Sequence, residues 1–102
     1  MQDRNKGEWF NEMIEESHTL GEAMRDAVNR RDLPEVDRIL EAWEKLRVEF
    51  NQFLDACSDF ELACVWHLRS EHLIALATAV CQDKAQLEEW QTRVREALDA
   101  CG

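Results

Sequence analysis

Apolar residues recur three and four positions apart along most of the chain, and period-two alternation is scarce, so the pattern predicts helices and no strands. The clearest stretch is Val36, Ile39, Trp43, Leu46, Phe50, Phe53 and Cys57, an uninterrupted heptad seam down one side of a helix over about 33–57. Each large side chain of that seam is worth about 1.5–3 kcal/mol when buried, so the seam reads as core and needs a partner surface. A thinner stripe of Trp9, Met13, Leu20, Met24 and Ala27 predicts a first helix over about 7–30. Leu87, Trp90, Val94, Leu98 and Cys101 predict a last one over about 84–100. The segment between differs from these three. From Ser58 to Gln82 only Asp59, Glu61, Arg69 and Glu71 are charged, and apolar or small residues fall on several faces. A helix over about 59–82 with that pattern is expected at the centre of a bundle, packed on more than one side.

Capping signals place the breaks. Asp32 with Glu35 and Ser58 with Glu61 have the spacing of a capping box, in which the first side chain and the residue three positions on satisfy each other's free N–H groups. Pro34 falls in the first turn of the second helix, where a missing N–H is harmless. Asp83 with Gln86 is a weaker signal of the same kind, unsupported by glycine or proline, so the third and fourth segments read equally as two helices or as one bent helix. The fold expected is all-α, an antiparallel up-and-down bundle of three to four helices forming one domain over residues 1–102.

Charge narrows the partners. With 22 acidic against 12 basic side chains the formal charge is −10, opposite to what a phosphate backbone or an anionic membrane surface attracts. Nucleic acid is therefore not expected as a partner, and no apolar run approaches the roughly 20 residues needed for membrane insertion. Met1 to Trp9 is polar and predicts no signal-peptide core. The four cysteines, Cys57, Cys64, Cys81 and Cys101, follow helical spacing and read as small core residues of a protein in a reducing, cytoplasmic compartment.

Candidate chemistry is thin. His67-Leu68-Arg69-Ser70 resembles the phosphate-accepting stretch of histidine phosphotransfer domains, which are also acidic helical bundles, but the glycine that usually follows is missing. Glu15 and His18 form one Glu-x-x-His element where a carboxylate-bridged di-iron bundle needs two. Cys64 and His67 share a helix face, with no second pair at comparable spacing to close a tetrahedral zinc site. No glycine-rich phosphate loop and no activated nucleophile is recognisable. The expectation is a protein without catalytic activity, metal or cofactor. Trp9, Trp43, Trp66 and Trp90 lie one in each predicted helix. Trp43 and Trp66 read as core anchors, whereas Trp9 and Trp90, on the thinner stripes, are candidates to line a groove for a partner helix.

Two stretches resemble the flagellar export chaperones of the FliT type. One is Ala27-Val28-Asn29-Arg30-Arg31-Asp32-Leu33-Pro34-Glu35-Val36 continued by Ile39-Leu40-Glu41; the other is Ala79-Val80-Cys81-Gln82-Asp83-Lys84-Ala85-Gln86-Leu87 followed by Trp90-Gln91, Val94 and Leu98. The resemblance implies a cytoplasmic chaperone that holds an amphipathic helix of its client, such as a filament-cap protein, and hands it to the export apparatus. Related type III secretion chaperones share this composition. The residues expected to bind the partner are Trp9, Met13, Leu87, Trp90, Val94 and Leu98, with the last helix able to fold over the client. A phosphorelay domain using His67 and a self-associating bundle, such as a homodimer paired through exposed heptad faces, are the alternatives.

Overall fold

The computed structural model describes residues 5–101. Four helices follow one another: α1 (Lys6–Asn29), α2 (Leu33–Ala56), α3 (Asp59–Val80) and α4 (Lys84–Cys101). They pack as an up-and-down bundle in which α1 lies along α2 and α4 along α3, and α3 comes close to all three others. The expected helix spans differ from these by at most two residues, and the third and fourth segments are separate helices.

The α1–α2 turn is made in three residues. Arg31 takes a positive φ of 54°, and the N–H of Asp32 donates to the Ala27 carbonyl while that of Arg31 donates to Val28. This is a Schellman closure, with arginine at the left-handed position that glycine usually fills. Asp32 then caps α2 by accepting from the Glu35 N–H at 3.2 Å. Its own N–H already serves α1, so Glu35 cannot return the bond and pairs with Arg38 instead. The expected capping box is therefore half formed here. At Ser58 it is complete: Ser58 Oγ accepts from Glu61 N–H at 3.1 Å, and Glu61 accepts from Ser58 N–H at 2.9 Å. At α4 the box is shifted by one residue, with Asp83 capping the Gln86 N–H and Gln86 accepting from the Gln82 N–H. Those side-chain bonds end α3 at Val80 without glycine or proline.

The core forms where the helix stripes meet. Ile39, Leu46, Phe50 and Phe53 of the α2 seam are fully buried, and Phe53 stacks on Phe10 of α1 at 5.7 Å and meets the edge of Trp9 at 5.3 Å. From α3 come Leu62, Leu73, Leu76, Ala77 and Val80, and from α4 Trp90, Val94 and Ala97. The cysteines are core residues only in part, Cys57 and Cys81 packing against the core's edge. Cys57, Cys64 and Cys81 are half-buried, Cys101 is exposed at the end of α4, and all four thiols are free.

One feature of α3 has no counterpart in the sequence pattern. At Arg69 the backbone leaves the helical region (φ −145°, ψ 41°), so that two shorter helices join at an angle. The Arg69 guanidinium sits 5.0 Å from the centre of the Phe10 ring and donates to Asn11 Oδ1, tying the bend to α1. Cation–π and hydrogen-bond contacts of this kind hold a break that no proline or Gly–Ser pair imposes.

Candidate functional site

An apolar concavity runs between α3 and α4. It encloses about 420 Å³ and is lined by Trp66, Ile74 and Thr78 from α3 and by Leu87, Trp90, Gln91, Val94, Arg95 and Leu98 from α4. The stripe of α4 therefore has two roles. Its inner edge, Trp90, Val94 and Ala97, is buried against the bundle. Its outer edge, Leu87 and Leu98, is half-buried and forms the groove's α4 wall. From Leu87 to Leu98 the wall extends about 16 Å at 1.5 Å per residue, or three helical turns.

The floor carries an unusual polar atom. Trp90 is 6% exposed, and its indole N–H is buried with no hydrogen-bond acceptor among the described residues. Leaving such a donor unpaired costs about 1–3 kcal/mol, so the tryptophan is held there by its apolar area rather than by its polar handle.

The residues expected to bind a partner thus divide. Leu87, Trp90, Val94 and Leu98 come together in one groove. Trp9 and Met13 do not join them. Met13 has no exposed surface and belongs to the core, and Trp9 lies half-buried against Phe53. The α1 stripe is thin, yet it faces inward against α2 and α3. Trp66, expected as a core anchor, packs half-buried against the core and also lines the groove, with Ile74 opposite α4. Trp66, Ile74 and Thr78 are four or eight apart along α3, a signal present in the sequence but lost among apolar residues on every face.

Arg95 apart, the titratable groups do not line this groove. His67 is exposed on α3 just before the bend, and His18 and His72 border a shallow cleft of about 310 Å³ with Trp43. Among the described residues no group of three or more His, Cys, Asp or Glu side chains is placed to hold a metal ion, and no helix is long and apolar enough to cross a membrane. Burial pushes the Cys57 thiol up to about 11, with the Glu61 carboxylate adding to the effect, and burial likewise raises Cys81. Neither thiol is set up as a nucleophile. Polar contacts instead brace the bundle: Arg93 of α4 bonds Asp55 of α2 at 2.8 Å, and Gln82 bonds Glu44 at 3.0 Å. Arg93 therefore pairs across helices.

The chain matches no protein-family model, and neither a curated protein nor a solved structure is similar to it.

Proposed function

We propose that this protein is a non-catalytic helix-binding chaperone, and that the α3–α4 groove receives the apolar face of an amphipathic client helix. The observation that carries the reading is the gathering of Trp66, Ile74, Leu87, Trp90, Val94 and Leu98 around one concavity about three helical turns long. Helix-in-groove recognition uses anchors at i, i+3 or i+4 and i+7, and three turns accommodate that set. Large aromatics in such a groove supply contact area at little entropic cost. The net charge of −10 sets the client's other face. A helix with lysine or arginine on its polar side is steered toward this chain, and the complex remains acidic and self-repelling. Joined to the resemblance to flagellar and type III secretion chaperones, this makes an export client in the cytoplasm the specific expectation.

The test uses two synthetic amphipathic helices with the same apolar face, one with a basic and one with an acidic polar face, titrated against the full chain by calorimetry. The basic-faced helix is expected to bind, and Leu87→Glu or Leu98→Glu to weaken it at least about tenfold, or 1.4 kcal/mol. Binding of neither helix, or binding untouched by both substitutions, removes the groove as the site. Co-expression with candidate export substrates followed by size exclusion tests the export role; co-elution with none of them counts against it.

A further inference from the structure

The α3–α4 groove is lined by a single charged side chain. No carboxylate borders it, although 22 of the 102 residues are Asp or Glu, and its polar members are Thr78, Gln91 and Arg95. All three can donate a hydrogen bond. Several of the chain's bases are answered by its own acids: Lys6 by Glu61, Arg38 by Glu35, Arg47 by Glu44 and Arg93 by Asp55. Arg95 is not. It is exposed and makes no hydrogen bond, ion pair or ring contact among the described residues, even with Asp99 one turn on. Arg25, Arg31 and Lys45 also lack an ion-pair partner, and none of them borders the groove.

Building on the client-helix reading above, we propose that Arg95 selects a client helix carrying an Asp or Glu carboxylate at one edge of its apolar stripe, and that this pairing fixes the register and direction of the helix in the groove. An apolar stripe by itself fixes neither. Anchors at i, i+3 or i+4 and i+7 repeat along a helix, so the stripe fits a three-turn groove equally well when slid by one turn or reversed end for end. A lone charge near one end removes that degeneracy. Arg95 falls in the last turn of the α4 wall, between Val94 and Leu98, and only one placement of the client brings a given carboxylate to it. The guanidinium fork suits a carboxylate, to which it can donate two parallel hydrogen bonds.

The charge of the whole chain and this local pair act on different sides of the client. The net charge of −10 attracts the client's outward basic face, whereas Arg95 meets the border between its apolar and polar faces. A lysine at that border is repelled, so the same side chain also rejects helices that are basic along both edges. A seated helix excludes water from the groove, which makes the pair worth more than a fully exposed one.

The test uses synthetic helices with one apolar stripe and a basic outward face. Each carries a single glutamate in the first, second or third turn at either edge of the stripe, and each has a control with glutamine in the same place. They are titrated against the full chain by calorimetry at low salt. One glutamate position is expected to bind about three- to tenfold tighter than its control, with the other positions within about twofold of theirs. That preference should shrink as salt screens the pair, disappear in Arg95→Gln, and persist in part in Arg95→Lys, which keeps the charge but loses the fork. Arg95 is exposed and unpaired, so these substitutions leave the fold intact. Glutamate and glutamine helices that bind the wild type alike at every position, or a preference that survives in Arg95→Gln, overturn the proposal while leaving the groove as the client site. Binding of no helix at all removes the groove reading and this proposal together.

Discussion

α2 and α3 are of nearly equal length, 24 and 22 residues, and both are built around large apolar side chains, yet the bundle treats them differently. In α2 the apolar residues are concentrated on one seam, and Ile39, Leu46, Phe50, Phe53 and Leu54 are all buried. Leu33, Leu40 and Val48, which lie off the seam, are exposed. In α3 the apolar residues surround the axis, and a four-helix bundle has no neighbour to cover every side. Leu73, Leu76 and Val80 go inward, while Phe60, Leu68 and Ile74 remain in water and the helix bends at Arg69. A one-sided helix buries its large side chains in a single seam, whereas an all-round one holds apolar surface in water. Both apolar concavities, the α3–α4 groove and the hollow bordered by Phe60 and Leu68, involve α3.

The contrast is broken most directly by truncating one phenylalanine from each helix. Phe53→Ala, at the junction of Phe10 and Trp9, should lower unfolding stability by about 3–5 kcal/mol in urea titrations. Phe60→Ala should change it by no more than about 0.5 kcal/mol; equal losses would show that α3 is sealed like α2. The bend comes next. Arg69→Ala removes the contacts with Phe10 and Asn11 and should cost about 1–2 kcal/mol, with faster amide exchange around Leu68–Ser70 than anywhere in the middle of α2.

At the helix starts, Ser58→Ala dismantles the complete capping box and should cost about 1 kcal/mol. Asp32→Ala should cost a comparable amount through the half-formed box. Arg31→Gly has the opposite sign. Relieving a left-handed arginine should stabilise the α1–α2 turn by about 0.5–1 kcal/mol, seen as a raised midpoint of thermal unfolding.

The smallest effects are those of pH. Glu61 is held below the usual carboxylate range, first by the Ser58 backbone N–H and then by Lys6, so its contribution is present at neutral pH. That contribution is lost as pH falls through its folded value, beneath the ordinary carboxylate range. Cys57 behaves in the opposite direction. Its raised pKa leaves the folded state holding a proton the unfolded chain has released, so stability declines between about pH 9 and 11. Cys57→Ser should flatten that alkaline decline, and alkylation at pH 8 should reach Cys101 well before Cys57.

Periodicity and capping chemistry were local enough to be read along the chain. Val36 to Cys57 revealed the core seam, and Ser58 with Glu61 marked the start of α3, because both depend on residues within a turn or two of each other. Spacing also singled out the α4 stripe, but not the division of its residues between core and groove wall. The expectation for Trp9 and Met13 failed because a thin stripe says how much apolar surface a helix carries and not whether a neighbour covers it. Trp66 and Ile74 were hidden for the complementary reason: with apolar residues on all sides of α3, no face stands out until α4 is docked.

The helical segments, their order, their boundaries within two residues and an acidic composition are thus properties of the sequence itself, since each follows from short-range chemistry and composition, whereas the separation of α3 from α4 was left open there and appears in the structure. Which side of α3 meets α4, where α3 bends, and which apolar side chains remain in water were decided by the tertiary structure. Those outcomes depend on helices far apart in the chain competing for a limited amount of mutual surface. The physical reason is one of geometry: a residue's hydrophobicity is its own, but its burial belongs to its neighbours.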